Sequence, residues 1–281
     1  MGPVSVLAGI RVGLDHPVRL MAALNVSPES FYGGSVRGDP GALRDAAQQA
    51  VEEGADIIDI GARSTAPYVD AVVPIDEEVR RMGRAVETVV AAVRAPVSAD
   101  TTRATVAAAA LAAGARIIND VSGLRADAAM ADIAAQGEGV VLMAAPDGRA
   151  SSEAPMAQVR RLLLDSLARA QRAGLGLHEI VLDPGIGFFT DAGVPASVFN
   201  CAVLAGLDAL IDLGCPLLVG VSRKSFIGHL TGRSDPAQRL AGSLAAAAVA
   251  VYTGASVVRT HDVAATRDAV RVAEALRQAR S

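Results

Sequence analysis

The chain has no tryptophan, and aromatic residues make up only 3% of it. A platform for stacked nucleic-acid bases needs aromatic faces, so composition argues against one. Positive charge is not in excess either. Twenty-six lysines and arginines stand against 30 aspartates and glutamates, a formal net charge of −4. That leaves no broad basic surface for nucleic acid, although a small basic pocket for an anion is still possible. Cysteine occurs twice, as Cys201 and Cys215, at no zinc-ligand spacing. Two buried thiols in a reducing compartment are the expectation. Long apolar runs are missing too: AAAALAAGA and AGSLAAAAVAVYTGA are too short and too weakly apolar to cross a bilayer. The opening MGPVSVLAGIRVGLDHP lacks the basic start and apolar stretch of a signal peptide. Val6 stands where a myristoylation motif takes serine or threonine. These absences predict a cytoplasmic protein with neither a membrane nor a nucleic-acid partner.

What is present is a large apolar fraction, 51% of 281 residues, enough for one sizeable core. Short runs rich in valine, isoleucine and leucine alternate with longer alanine- and charge-bearing amphipathic segments. Such alternation predicts βαβ units and a parallel sheet. Eight candidate strands fall at 19–25, 55–60, 95–100, 115–119, 139–143, 179–183, 216–221 and 256–259. Helical segments lie near 40–53, 76–93, 102–113, 125–135, 155–173, 197–213, 236–253 and 263–278. Glycines 54, 114, 174, 214 and 254 stand just past helices, the usual place for a C′ glycine. No linker divides the chain, and no GxGxxG turn follows the first strand. Eight strand–helix repeats predict a single-domain (β/α)8 TIM barrel of the α/β class over residues 1–281. Residues 1–18 are expected to form an appendage across the barrel floor.

In such barrels the active site lies at the C-terminal ends of the strands. There the sequence places Asn25, Asp59, Asp100, Asn119, Asp120, Asp183, Ser222, Arg223, Lys224, Arg259 and His261. Each alone has a plainer reading, because Asp and Asn after a strand often cap the next helix. Convergence on one mouth is harder to explain by capping. Asp100, Asn119 and Asp183 offer acceptors and an amide within an apolar tube, and Lys224 offers a cation. Buried without partners these groups would be costly, so a ligand is expected. A flat heterocycle with adjacent donor and acceptor edges, such as a 2-amino-4-oxo pterin, would satisfy them. Arg259, His261 and Asn25 sit on neighbouring strands and suit a pyrophosphate or another anion. The competing reading of Arg259 is an ion pair with Asp262 or another acidic neighbour.

Seven ordered blocks resemble the dihydropteroate synthase family: NVSPESF, GADIIDIGARSTAP, SADTT, IINDVSG, VLDPGIGF, LLVGVSRKSFIG and VVRTHDV. They run from residue 25 to residue 263. The resemblance implies that Asp100, Asn119, Met143, Asp183 and Lys224 hold the pterin, with Lys224, Asp183 and Asp100 as catalytic groups. It implies Asn25, Arg259 and His261 for the pyrophosphate, with Asn25 near a Mg2+ ion. Thr65, Pro67, Phe188 and Ser222 would border p-aminobenzoate. The implied reaction is a transfer in folate biosynthesis: the amine attacks the methylene of hydroxymethyl-dihydropterin diphosphate and pyrophosphate leaves. The family also implies a homodimer, for which the alanine-rich 241–255 segment is a candidate face. Two other readings stay open: a pterin-dependent methyltransferase, and a repurposed or non-catalytic pterin-binding homologue.

The chain departs from the family pattern in three loops. NVSPESFYGGS lacks an aspartate and is one residue shorter than the usual first loop. In GARSTAPY, Arg63 replaces a glutamate and Ala66 an arginine, so Arg63 is a candidate for restoring the positive charge. In DPGIGFFTDAG, Phe189 resembles the form in sulfonamide-insensitive members. There Phe189 either narrows the amine site or simply packs in the core.

Overall fold

The computed structural model describes residues 2–27, 39–64, 73–148, 153–190 and 193–280. The chain opens with an antiparallel pair, β1 (Val4–Leu7) and β2 (Ile10–Gly13). Eight parallel strands then close into a barrel: β3 (Arg19–Asn25), β4 (Ile57–Gly61), β5 (Val97–Asp100), β6 (Ile117–Asp120), β7 (Val140–Met143), β8 (Ile180–Asp183), β9 (Leu217–Gly220) and β10 (Ala255–Thr260). β10 pairs back onto β3, so the barrel has no free edge. Around it pack α1 (Pro40–Glu52), α2 (Ile75–Ala92), α3 (Ala104–Ala112), α4 (Met130–Ala134), α5 (Pro155–Arg172), α6 (Ala196–Ala205), α7 (Ser225–Thr231), α8 (Leu240–Tyr252) and α9 (Val263–Arg280). The fold is the expected single-domain (β/α)8 barrel.

Local chemistry sets several of these bounds. Asp39 caps α1 by accepting from the Ala42 N–H at 2.9 Å, with Pro40 opening the helix. Asp76, Glu77 and Glu78 crowd the first turn of α2, where the helix dipole favours negative charge. Elsewhere the expectation needs correction. Of 125–135 only Met130–Ala134 is helical. Asp120 takes the N–H groups of Ser122 and Leu124 at 2.7 and 2.9 Å, and Asp127 takes that of Ala129 at 3.0 Å. Those side-chain acceptors hold the preceding residues as turns. The 197–213 segment breaks at Gly206, and the helical turn Leu207–Leu213 runs on at 62° to α6. The short α7 lies in the SRKSFIG block and was not expected as a helix.

Two apolar cores result. The larger fills the space between barrel and helices. The smaller lies inside the barrel and joins Met21, Ile57, Ile117, Val141, Val181, Leu218 and Val257 to Leu7 and Val12 of the β1–β2 hairpin. The hairpin therefore plugs the barrel floor. Because strand side chains alternate, the residues two positions further on face the same interior nearer the mouth. Those residues are Ala23, Asp59, Asn119, Met143, Asp183, Gly220 and Arg259. One correction concerns a small feature. Cys215 is buried, but Cys201 is exposed on α6. No single helix among the described residues is long and apolar enough to cross a membrane. The bent α6–Leu213 pair passes that test by composition, yet Phe199, Val203, Leu207 and Leu210 are buried in the outer core.

Candidate active site

Register brings the polar residues of the mouth together. Asp100 lies opposite Asn119 across β5–β6, and Met143 opposite Asp183 across β7–β8. Asn25 lies opposite Gly61, which lies opposite Asp100. A Cβ on Gly61 would come within 3.0 Å of Asn25 Oδ1, so glycine there leaves the amide its place.

Inside the mouth runs an ionic network. Arg259 Nε donates to Asp59 Oδ2 at 2.6 Å, and its Nη2 donates to Asp100 Oδ2 at 3.0 Å. Asn119 Nδ2 donates to the same Asp59 oxygen at 3.1 Å. Asp59 is fully buried (0% exposed). It is the functional residue that sequence reasoning placed at a strand end and left without a role. A signal was available: a carboxylate inside the apolar run ADIIDI requires a partner. The arginine's partners also differ from the neighbour considered from sequence. Asp262 pairs instead with Arg223, at 2.9 and 2.6 Å.

On the opposite wall, Asp183 Oδ1 accepts from the Gly185 N–H at 2.8 Å. Lys224 Nζ donates to the Ile186 carbonyl and sits 4.7 Å from the Phe188 ring centre. The lysine stem crosses the backbone at Gly187, where an added Cβ would come within 2.6 Å of Lys224 Cδ. Gly187 also has φ +85°, so both space and conformation demand glycine. The DPGIGF turn thus forms the cradle of the lysine. Nearby, Ser222 Oγ lies 3.0 Å from His261 Nδ1 and accepts from the His261 N–H at 3.3 Å.

Burial shifts the charges of this pocket. Asp100 is pushed up to about 7 by desolvation, with Arg259 opposing and Asp59 reinforcing the rise. Asp183 is raised by burial against the pull of Lys224. Lys224 is lowered to about 8 by burial, with Asp183 opposing. His261 is pushed down to about 3 by burial and by the positive charges of Arg259, Arg223 and Lys224. Burial works against the charge on Arg259, but Asp59 and Asp100 outweigh it and hold the group above its usual value. At neutral pH the pocket therefore holds a charged lysine, a charged arginine and a neutral imidazole. The second oxygens of Asp59 and Asp100 have no hydrogen-bond partner among the described residues. Both atoms have almost no exposed surface, so they are buried acceptors left unsatisfied in the pocket wall.

The structure gathers Asn25, Asp100, Asn119, Met143, Asp183, Phe188, Ser222, Lys224, Arg259 and His261 at the C-terminal mouth of the barrel. Thr65 and Pro67 lie outside the described residues. Arg63 is committed elsewhere: Nε donates to Glu78 Oε2 at 3.1 Å and Nη2 to Thr102 Oγ1 at 3.0 Å. The same Glu78, 1% exposed, also holds Arg103 at 2.7 Å. Arg63 still lies near enough to Asp100 to draw its pKa down. Phe189 is 2% exposed and stacks on Phe199 with centroids 4.3 Å apart, within the outer core. Packing accounts for it. For a magnesium ion, the described residues contain no group of three His, Cys, Asp or Glu side chains suited to a metal. Asn25 supplies one neutral oxygen. That fits a magnesium ion held mainly by substrate phosphates and water.

A closed parallel barrel with carboxylates, an amide and a lysine in its mouth defines a barrel enzyme built for a flat, polar-edged heterocycle. The profile of the family described as "Pterin binding enzyme" matches residues 21–261, and the chain belongs to that family. Its relatives include the dihydropteroate synthase of Escherichia coli (strain K12), 37% identical over 276 residues, covering 95% of this chain and 94% of that protein. Among solved structures, the Xanthomonas albilineans dihydropteroate synthase with 4-aminobenzoic acid is 41% identical with a TM-score of 0.86 over 98% of both chains. The same organism's enzyme in complex with 7,8-dihydropteroate is 40% identical with a TM-score of 0.83, also over 98% of both chains.

Proposed function

We propose that the chain is a dihydropteroate synthase, a transferase that joins hydroxymethyl-dihydropterin diphosphate to p-aminobenzoate and releases pyrophosphate. One observation carries the reading: two buried carboxylates, an amide and a lysine surround one mouth, with Arg259, His261 and Asn25 on the adjoining strands. Its relatives' names and complexes support it.

In this reading Asp183 and Asp100 accept the ring N–H and exocyclic amine of the pterin, and Asn119 and Lys224 complete the polar edge. Met143 supplies an apolar surface beside them. The methylene C–O bond breaks and its electron pair leaves with the diphosphate. Positive charge then develops on the pterin, where the two carboxylates stabilise it. The arylamine lone pair forms the new C–N bond, and the amine loses a proton. Phe188, Ser222, Thr65 and Pro67 are the proposed border of the amine. His261, neutral before substrate arrives, donates a hydrogen bond from its ring N–H to a diphosphate oxygen, with Arg259 on the same strand end. Asn25 would hold Mg2+ at the diphosphate, and the ion would supply positive charge to the leaving group. A homodimer is proposed through α8, whose exposed Val249 lines one surface groove with the exposed Leu230. A cytoplasmic location fits the free thiols.

Pyrophosphate release from hydroxymethyl-dihydropterin diphosphate and Mg2+, with and without p-aminobenzoate, tests the reading. Release that requires p-aminobenzoate, and falls at least a hundredfold in Lys224→Ala, is the expected result. Pterin binding without turnover would favour the non-catalytic homologue, and methyl transfer from a methyl-folate the methyltransferase.

A further inference from the structure

Arg223 stands between two residues of the pocket, Ser222 and Lys224, yet its own side chain turns away from the mouth. Its backbone has φ +57°, a left-handed conformation that is unfavourable for a residue with a Cβ. The surroundings hold it there from every side. Its N–H donates to Ser243 Oγ at 2.8 Å, and its carbonyl accepts from Arg239 Nη1 at 3.0 Å. The guanidinium donates to the carbonyls of Pro236 and Ala237 at 2.9 and 2.8 Å. The same guanidinium grips both oxygens of Asp262 at 2.9 and 2.6 Å. Only 7% of the Arg223 side chain and 20% of the Asp262 side chain are exposed.

Asp262 is itself the neighbour of His261. Its N–H donates to Thr260 Oγ1 at 3.1 Å, and its carbonyl accepts the Thr266 N–H at 3.0 Å, which starts α9. The fork-to-carboxylate contact therefore joins the tip of β9, with Ser222 and Lys224, to the tip of β10, with Arg259 and His261. A second tie, Ser222 to His261, lies on the pocket side of the same two loops. A paired, planar guanidinium fixes direction as well as distance.

We propose that Arg223 and Asp262 are positioning residues that lock Lys224 and His261 into one rigid unit. The lysine and histidine subsites, for pterin and diphosphate, are then set together. The inference rests on the synthase reading, and binding measurements keep the two apart. Titration calorimetry with 6-hydroxymethylpterin and, separately, inorganic pyrophosphate compares wild type with Asp262→Asn, a change that keeps shape and removes charge. About a tenfold loss of affinity for both ligands is expected, with folding intact by circular dichroism. Asp262→Glu should recover part of it. Arg223→Lys, which keeps charge but loses the fork, should lose affinity as Asp262→Asn does. The double variant should lose no more than the worse single one, because both break one contact. Affinities within twofold of wild type in folded Asp262→Asn would overturn the proposal. So would a lower melting temperature with unchanged binding, which marks a purely structural pair. If Arg223→Lys fails to fold, Asp262→Asn decides alone. A wild-type chain that binds neither ligand would overturn the synthase reading and the clamp with it.

Discussion

Asp59 shows how much one buried carboxylate can govern. It accepts from Arg259 and Asn119 through a single oxygen, at 2.6 and 3.1 Å, so it fixes a cation and an amide at once. Removing it leaves Arg259 with Asp100 as its remaining carboxylate partner in the network. The arginine would then compete with the pterin for Asp100, and Asn119 would lose its orientation. Asp59→Ala should therefore destabilise the fold by roughly 3–5 kcal/mol, the usual consequence of stripping one partner from a buried ion pair. It should also cut turnover by at least tenfold. Urea unfolding and steady-state rates on the folded fraction would measure both. An unfolding midpoint equal to that of wild type would show that Arg259 is not held by this pair.

At the scale of elements, the division of labour runs along the barrel axis. Leu7 and Val12 of the hairpin close the floor, and the polar residues occupy the opposite end. Leu7 is completely buried, with Gly139 so close that an added Cβ would lie 2.5 Å from Leu7 Cδ2. Leu7→Ala should destabilise by about 2–5 kcal/mol through the cavity it leaves, while kcat and KM at 15 °C stay near wild type. A large change in KM with unchanged stability would contradict this separation of ends. The same axis explains what could be read from sequence. Short runs rich in valine, isoleucine and leucine, set between longer amphipathic segments, marked the strands, and their polar tips, Asp100, Asn119 and Asp183, followed at once. Segments stabilised by contacts distant in sequence were not legible. The place of residues 1–18 at the floor was expected, but not their pairing as a hairpin, which depends on packing against seven barrel strands; α4 is short because Asp120 and Asp127 capture N–H groups before it. The Asp59–Arg259 pair spans 200 positions, and the commitment of Arg63 to Glu78 depends on where α2 docks. No local pattern announces either pairing.

For the molecule as a whole, the pocket makes stability depend on pH in an unusual way. His261 is held at about 3 against an ordinary 6.5. From pH 6.5 down to 3 the unfolded chain gains a proton there that the folded chain refuses, so stability falls as pH falls. Asp100 acts in the opposite sense. Raised from 3.8 to about 7, it keeps a proton in the folded chain that the unfolded chain has lost, so stability rises as pH falls from 7 toward 3.8. Between pH 6 and 4.5 the two slopes oppose with one proton each and nearly cancel. His261→Gln removes only the first. Relative to wild type, its unfolding free energy should climb by about 1.4 kcal/mol for each unit of acidification across that window. The other titrating groups are shared by both chains and drop out of the difference. Urea melts at four pH values suffice to measure it. Parallel curves for the two proteins would mean that His261 accepts its proton as readily in the folded barrel as in the open chain, contrary to its burial among Arg259, Arg223 and Lys224.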